Sequence, residues 1–302
     1  MIKDTMIDEI FERFDGAFAE NTIRAYRSDF EQYSKWCETK TLSPIPATAD
    51  SLAMYVDDLS HTCKSATIRR RVNSLGTIFK LYKNPDPSKD PEVVLALKRM
   101  HRSIGRHQKQ ATPLTHNHLE RLLSNCSGDL KGMRNRVLLQ LGYETMRRRS
   151  ELCAFRFEDL EIRNDAKPIL HLRKSKADQE SIGRVIPIST ALGELIEVWR
   201  EKISAKSGFI LRAVDKHGNV SSSLSPGSIQ LILNCLSDST TTYDFGNTFS
   251  GHSFRVGAAL DLLNRGETLE RIMIRGGWKS QDSAIRYLQQ LDYASPDWSP
   301  KA

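Results

Sequence analysis

Four short segments between residues 146 and 288 hold residues suited to handling an anion: 146–152 (MRRRSEL), 174–176 (KSK), 250–259 (SGHSFRVGAA) and 276–288 (GGWKSQDSAIRYL). Guanidinium groups present planar forks of donors that match paired anionic oxygens, which an ammonium does not. His252 and Arg255 stand three apart at the start of a helical pattern, a spacing that puts both on one face and within reach of a common anion. Tyr287 follows Trp278 by nine residues. Singly, each segment has an ordinary use. An arginine triplet decorates a helix, hairpin lysines sit in water, and a tyrosine in an amphipathic helix packs into a core.

Taken in order, the segments read Arg, Lys, His-x-x-Arg, Trp, Tyr, and together they resemble the tyrosine recombinase (phage integrase) family, specifically its Cre-like members. The resemblance spans nearly the whole chain. The family pattern Gly/Thr-x-Leu/Met-Arg-x-x-Glu-Leu lies best on TMRRRSEL, which assigns the first catalytic arginine to Arg148 and the acidic residue to Glu151, with Arg147 and Arg149 as alternates. The hairpin lysine matches Lys176, with Lys174 in reserve. The His-x-x-Arg box is His252 and Arg255. Trp278 stands where most members carry a second histidine and Cre-like members carry tryptophan. Tyr287 takes the nucleophile position; Tyr293 is nearby at a spacing that does not fit.

The resemblance implies a site-specific DNA recombinase that cleaves and rejoins strands through a 3′-phosphotyrosine bond and a Holliday junction, with no cofactor, ATP or metal. A phenol, with a pKa of about 10, is a fair nucleophile once a base takes its proton and a good leaving group in reverse. Arg148 and Arg255 would clamp the phosphate, Lys176 would protonate the departing 5′ oxygen, and His252 would assist proton transfer or hydrogen-bond the phosphate. Trp278 would contact the phosphate and pack, and Glu151 would orient the arginine. The implied partners are a double-stranded DNA target with inverted repeats and three further copies of the chain in a tetramer. Two rivals use related folds or chemistry: an idle DNA-binding relative, and a type IB topoisomerase or telomere resolvase. The filled Arg, Lys, His, Arg and Tyr positions speak against the first, and Trp278 and the 302-residue length against the second.

Composition fits a DNA partner. The chain carries net charge +7, unevenly placed: residues 1–58 sum to −6 and residues 59–113 to +9. Clustered cations bind a polyanion by releasing its counterions. Arg69, Arg70, Lys80, Arg106 and Lys109 are the candidate DNA contacts. The five cysteines are scattered without a C-x-x-C pair and three sit in apolar-periodic stretches as small core residues, which suggests a reducing cytoplasm rather than a disulfide or zinc framework; DNA binding would place the protein at the nucleoid. No apolar run approaches the ~18 residues of a membrane span, and the acidic N-terminus lacks the features of a secretion signal.

The elements that must position these residues read as mainly α with one small antiparallel sheet, in a two-domain clamp. Helices are expected over 21–38, with Ile23, Tyr26, Phe30, Tyr33 and Trp36–Cys37 inward, 50–60, 65–83 and 92–103. Arg69, Arg70, Arg71, Lys80 and Lys83 fall off the apolar stripe of the third and should form a basic outer face. NPDPSKDP (84–91) interrupts. The reading gives a DNA-binding domain at 1–105, a basic linker at 106–113 and a catalytic domain at 114–302. From there on, helices are expected over 113–126, 133–145, 190–204, 226–237, 254–265, 267–275 and 280–290, and a hairpin at 168–174 and 182–188.

Overall fold

The computed structural model describes residues 8–9, 11–107, 110–163, 166–173, 183–238 and 249–288. Its contacts divide the chain into two units, Met1–Lys109 and Gln110–Ala302, each with a hydrophobic core.

In the first unit, α1 (Glu20–Thr39), α2 (Ala49–Ser60), α3 (Ser65–Leu81) and α4 (Pro91–Ile104) bury their apolar stripes together. Phe30, Tyr33 and Cys37 of α1 are fully buried, while Ile23, Tyr26 and Trp36 pack half-buried around that core. Two of these helices, α2 and α4, begin on a side-chain cap. Thr48 and Ser51 form a reciprocal capping box on α2, and Asp90 accepts from the Glu92 amide with Pro91 at the first helical position of α4. The proline-rich break holds a short 3-10 turn, Pro87–Lys89, whose entry is fixed by the Ser88 amide donating to Asp86.

The expected basic outer face of α3 is only partly there. Arg70 Nη1 donates to Asp29, a carboxylate with no exposure, and Arg71 Nε lies 4.0 Å from the same group with its side chain 13% exposed. Lys80 pairs with Asp86 at 3.1 Å. Arg71 is therefore half-buried beside an acid 42 positions away, and Arg70 and Lys80 have their charges balanced within the fold.

The second unit is built around α6 (Leu130–Thr145), with α5 (His116–Ser124), α7 (Arg149–Ala154), α8 (Thr190–Lys202), α9 (Ser228–Asp238), α10 (Ser253–Asn264), α11 (Leu269–Gly276) and α12 (Gln281–Leu288). Burial runs almost all round α6, through Val137, Leu138, Leu139 and Leu141, so it is a central helix. Phe254 of α10 lies against Gly142, where a Cβ would sit 3.0 Å from the ring. Strands β1 (Leu160–Arg163), β2 (Ala166–Leu172) and β3 (Arg184–Pro187) form an antiparallel sheet in that order, with Leu170 opposite Ile186 and Leu172 opposite Arg184. The hairpin was expected; β1 and the six-residue α7 were not. Cys37, Cys126 and Cys153 are core residues, and among the described residues no helix is long and apolar enough to cross a membrane.

Residues 110–116 enter this unit across α10. The Leu114 amide donates to the Ser253 carbonyl at 3.0 Å, and the His116 amide donates to Asp261 at 2.7 Å. The crossing is so close at Gly257 that a Cβ there would stand 1.8 Å from the Leu114 carbonyl oxygen. Backbone cannot yield as a side-chain tip can. Gly257→Ala should therefore cost about 3 kcal/mol or more, read as a lowered denaturation midpoint; an unchanged midpoint would refute this close packing.

Candidate active site

The chain turns sharply between α6 and α7, and the turn decides where three adjacent arginines go. Met146, fully buried, adopts the left-handed conformation (φ 54°, ψ 32°) at the end of α6. For a residue with a side chain this costs of order 1–3 kcal/mol. Its carbonyl accepts a hydrogen bond from Arg255 Nη1 at 2.6 Å.

Beyond the turn the arginines take different places. Arg147 is 3% exposed; its Nε donates to the Thr145 carbonyl at 2.7 Å and its Nη2 to the Arg275 carbonyl. Burial pulls its pKa down to about 10, aided by Arg255, Arg184 and Arg148 and opposed by Glu151, so it remains a cation. Arg148 stands at the N-cap of α7 with its side chain 30% exposed. Its Nη1 donates to Glu151 Oε1 at 2.8 Å and its own amide to Oε2 at 3.1 Å. One buried carboxylate thus caps the helix and orients the guanidinium. Arg149 is exposed, and its stem lies over Gly251, where a Cβ would meet Arg149 Cγ at 2.0 Å.

His252 is the N-cap of α10 and Arg255 lies in that helix's first turn. Arg255 is 2% exposed, and its guanidinium sits 4.7 Å from the centre of the Trp278 ring, a cation–π contact. Although its rim reaches solvent, the His252 ring is crowded by protein, and that burial, then Arg255, Arg149 and Arg148, pushes its pKa below the usual value. The structure therefore brings Arg148, Glu151, His252, Arg255 and Trp278 to one corner.

Trp278 follows α11 through Gly277, which is left-handed at φ 70°. Two close approaches shape this turn: a Cβ on Gly276 would meet the Trp278 ring at 2.0 Å, and one on Gly277 would meet Arg147 Nη1 at 2.7 Å and Arg184 Nη1 at 3.2 Å. Trp278 packs with Met146, Ala258, Ala259, Ile272 and Ala284 in a small core of its own. Tyr287 falls in the last turn of α12, where only its backbone is described. Lys174 and Lys176, with Lys109 and Tyr293, lie outside the described residues. Arg184, missed in the sequence, opens β3 beside Gly277; a lone arginine at a strand start carries no signal by itself.

In the first unit, Arg69 and Arg106 are exposed. Burial, then the charges of Arg106 and Arg69, lower the pKa of His101, so these cations share one neighbourhood. Among the described residues no three His, Cys, Asp or Glu side chains are grouped to hold a metal ion.

A profile of the phage integrase family matches residues 112–293, and the chain belongs to that family. Fold and family together define a tyrosine site-specific recombinase. The integrase/recombinase XerD homolog of Selenomonas ruminantium is 28% identical over 291 residues, covering 92% of this chain and 84% of that protein. Recombinase Cre of Escherichia phage P1 is 25% identical over 297 residues, covering 91% and 86%. In fold, the chain is similar to XerH site-specific recombinase bound to a palindromic difH substrate, with a TM-score of 0.69 at 16% identity, covering 99% of this chain and 85% of that one.

The depressed His252 pKa implies a neutral imidazole at pH 7. Its ring titration followed by NMR should show a midpoint below 6.5. A midpoint at or above that value would mean that neither burial nor the three arginines disfavours the charged ring.

Proposed function

We propose that this recombinase cleaves DNA by attack of the Tyr287 phenol oxygen on a scissile phosphorus, giving a 3′-phosphotyrosine bond and a free 5′ hydroxyl. The reading is carried by one observation: Arg255 donates to the carbonyl of Met146, two residues before Arg148, so guanidiniums more than a hundred residues apart in sequence stand at one corner. Both then face the place where charge builds on the non-bridging oxygens. His252, neutral at pH 7, is suited to accept the phenolic proton. Trp278 supports the face of Arg255, and Glu151 holds Arg148 in register.

Lys176 is the general acid for the departing 5′ oxygen. Leu172 and Arg184 are paired across the hairpin, and Arg184 lies beside Gly277. The connection bearing Lys176 therefore starts and ends close to the corner, which supports the assignment. Because the phosphotyrosine bond conserves the energy of the broken diester, religation needs no ATP. The guanidiniums supply the charge neutralisation that a metal would otherwise give.

The substrate is double-stranded DNA with inverted repeats, and four copies exchange strands in pairs through a Holliday junction in the cytoplasm. Residues 1–105 form the DNA-binding domain, 106–113 the linker and 114–302 the catalytic domain. Arg69 and Arg106 are the better-supported phosphate contacts, and Lys109 extends the basic linker. Arg70 and Lys80 reach DNA only by sharing or leaving their carboxylate partners.

The test uses a pool of nicked duplexes with randomised cores, from which covalent protein–DNA adducts are recovered. The parent protein should yield adducts and Tyr287→Phe none, with DNA retention by the variant unchanged. Adducts that persist in Tyr287→Phe would move the nucleophile to Tyr293 and overturn the assignment.

A further inference from the structure

The segment 110–116 is fastened to two helices of the site. Toward its end it lies along α10, the helix that begins after His252, through Leu114 to Ser253 and His116 to Asp261. At its start, Gln110 Nε2 donates to the backbone carbonyl of Arg286, in the last turn of α12 and one residue before Tyr287. The last four carbonyls of a helix have no partner within it, so this contact is a side-chain cap. Its chemistry is one-directional: a carbonyl only accepts, so the NH2 group of Gln110 must face it. That orientation leaves Gln110 Oε1 buried, with no hydrogen-bond partner among the described residues.

We propose that Gln110 is a positioning residue for strand cleavage, a strap that sets the height of the Tyr287 backbone on α12 against His252 and Arg255 on α10. The inference rests on the reading of Tyr287 as nucleophile. In-line displacement tolerates little misplacement: an error of about 1 Å in a reacting group can cost roughly 100-fold in rate. A cap one residue from the nucleophile, on a segment anchored at its other end to the helix that carries His252 and Arg255, limits that error.

The test compares parent, Gln110→Ala and Gln110→Glu in single-turnover cleavage of a nicked duplex recovered with the parent protein. Gln110→Ala should cleave about 10- to 100-fold more slowly, with affinity for the same duplex within about twofold of the parent's. Gln110→Glu should match that defect at pH 7, where its carboxylate cannot donate. It should then recover relative to the parent as pH falls toward the carboxyl range near about 4.3. A simple loss of packing does not titrate in this way. Parental rates in both variants, a defect explained by affinity, or a Gln110→Glu defect constant with pH would each overturn the proposal. If the parent itself forms no adduct, the nucleophile reading fails instead. Amide exchange in the free protein still judges the cap: Gln110→Ala should speed exchange within 281–288 alone, and unchanged exchange there would overturn it.

Discussion

The hydrogen bond from Arg255 to the carbonyl of Met146 is the constraint on which the site depends. It requires the left-handed turn at Met146, which aims that carbonyl at α10 and sends the following arginines to different places. A charge-assisted bond of this kind contributes about 1.5–3 kcal/mol, comparable to the cost of the turn. Burial of Met146 with Trp278 in a small core adds what the turn needs to persist. Arg147 ties the same turn to the carbonyl of Arg275, and Arg275 Nε donates back to the Glu144 carbonyl at 3.2 Å. The α6–α7 corner and the turn leading to Trp278 and α12 are thus braced from both sides.

The corner also collects charge of one sign. Arg148, Arg184 and Arg255 lie close enough to lower the pKa of Arg147, and Glu151 acts against them. Repulsion among cations removed from water is costly unless an anion arrives. On the proposed reading, a phosphate entering this place would relieve that repulsion, most of all where negative charge is greatest, in the transition state of displacement. Burial first, and the same excess of positive charge second, hold the pKa of His252 below its ordinary value.

Much of the fold was legible because its helices bury regular stripes: Leu52, Tyr55, Val56 and Leu59, or Ile68, Val72, Leu75 and Phe79, are spaced as one face demands and are buried as read. What escaped had no periodicity to show. β1 is four residues, two of them charged, and α7 is six residues opening on an arginine. The partners of charges were equally hidden, since Asp29 meets Arg70 only once α1 and α3 pack. At the site, the His-x-x-Arg spacing could be read directly, whereas three consecutive arginines are chemically identical on paper. Only a backbone turn, invisible in composition, distinguishes Arg147 on two carbonyls from Arg148 beside Glu151. The roles of Lys176 and Tyr287 rest on order and resemblance.

The central claim is that Arg148 and Arg255 converge on one phosphate while Arg147 braces the corner. A crystal structure of the chain trapped on its selected duplex after cleavage tests it most directly. The account predicts Arg148 and Arg255 nitrogens within about 3 Å of the non-bridging oxygens, the phosphorus bonded to the Tyr287 oxygen, and Arg147 still on the carbonyls of Thr145 and Arg275. A phosphate held by Arg147 in place of Arg148, or bound away from this corner, would contradict it.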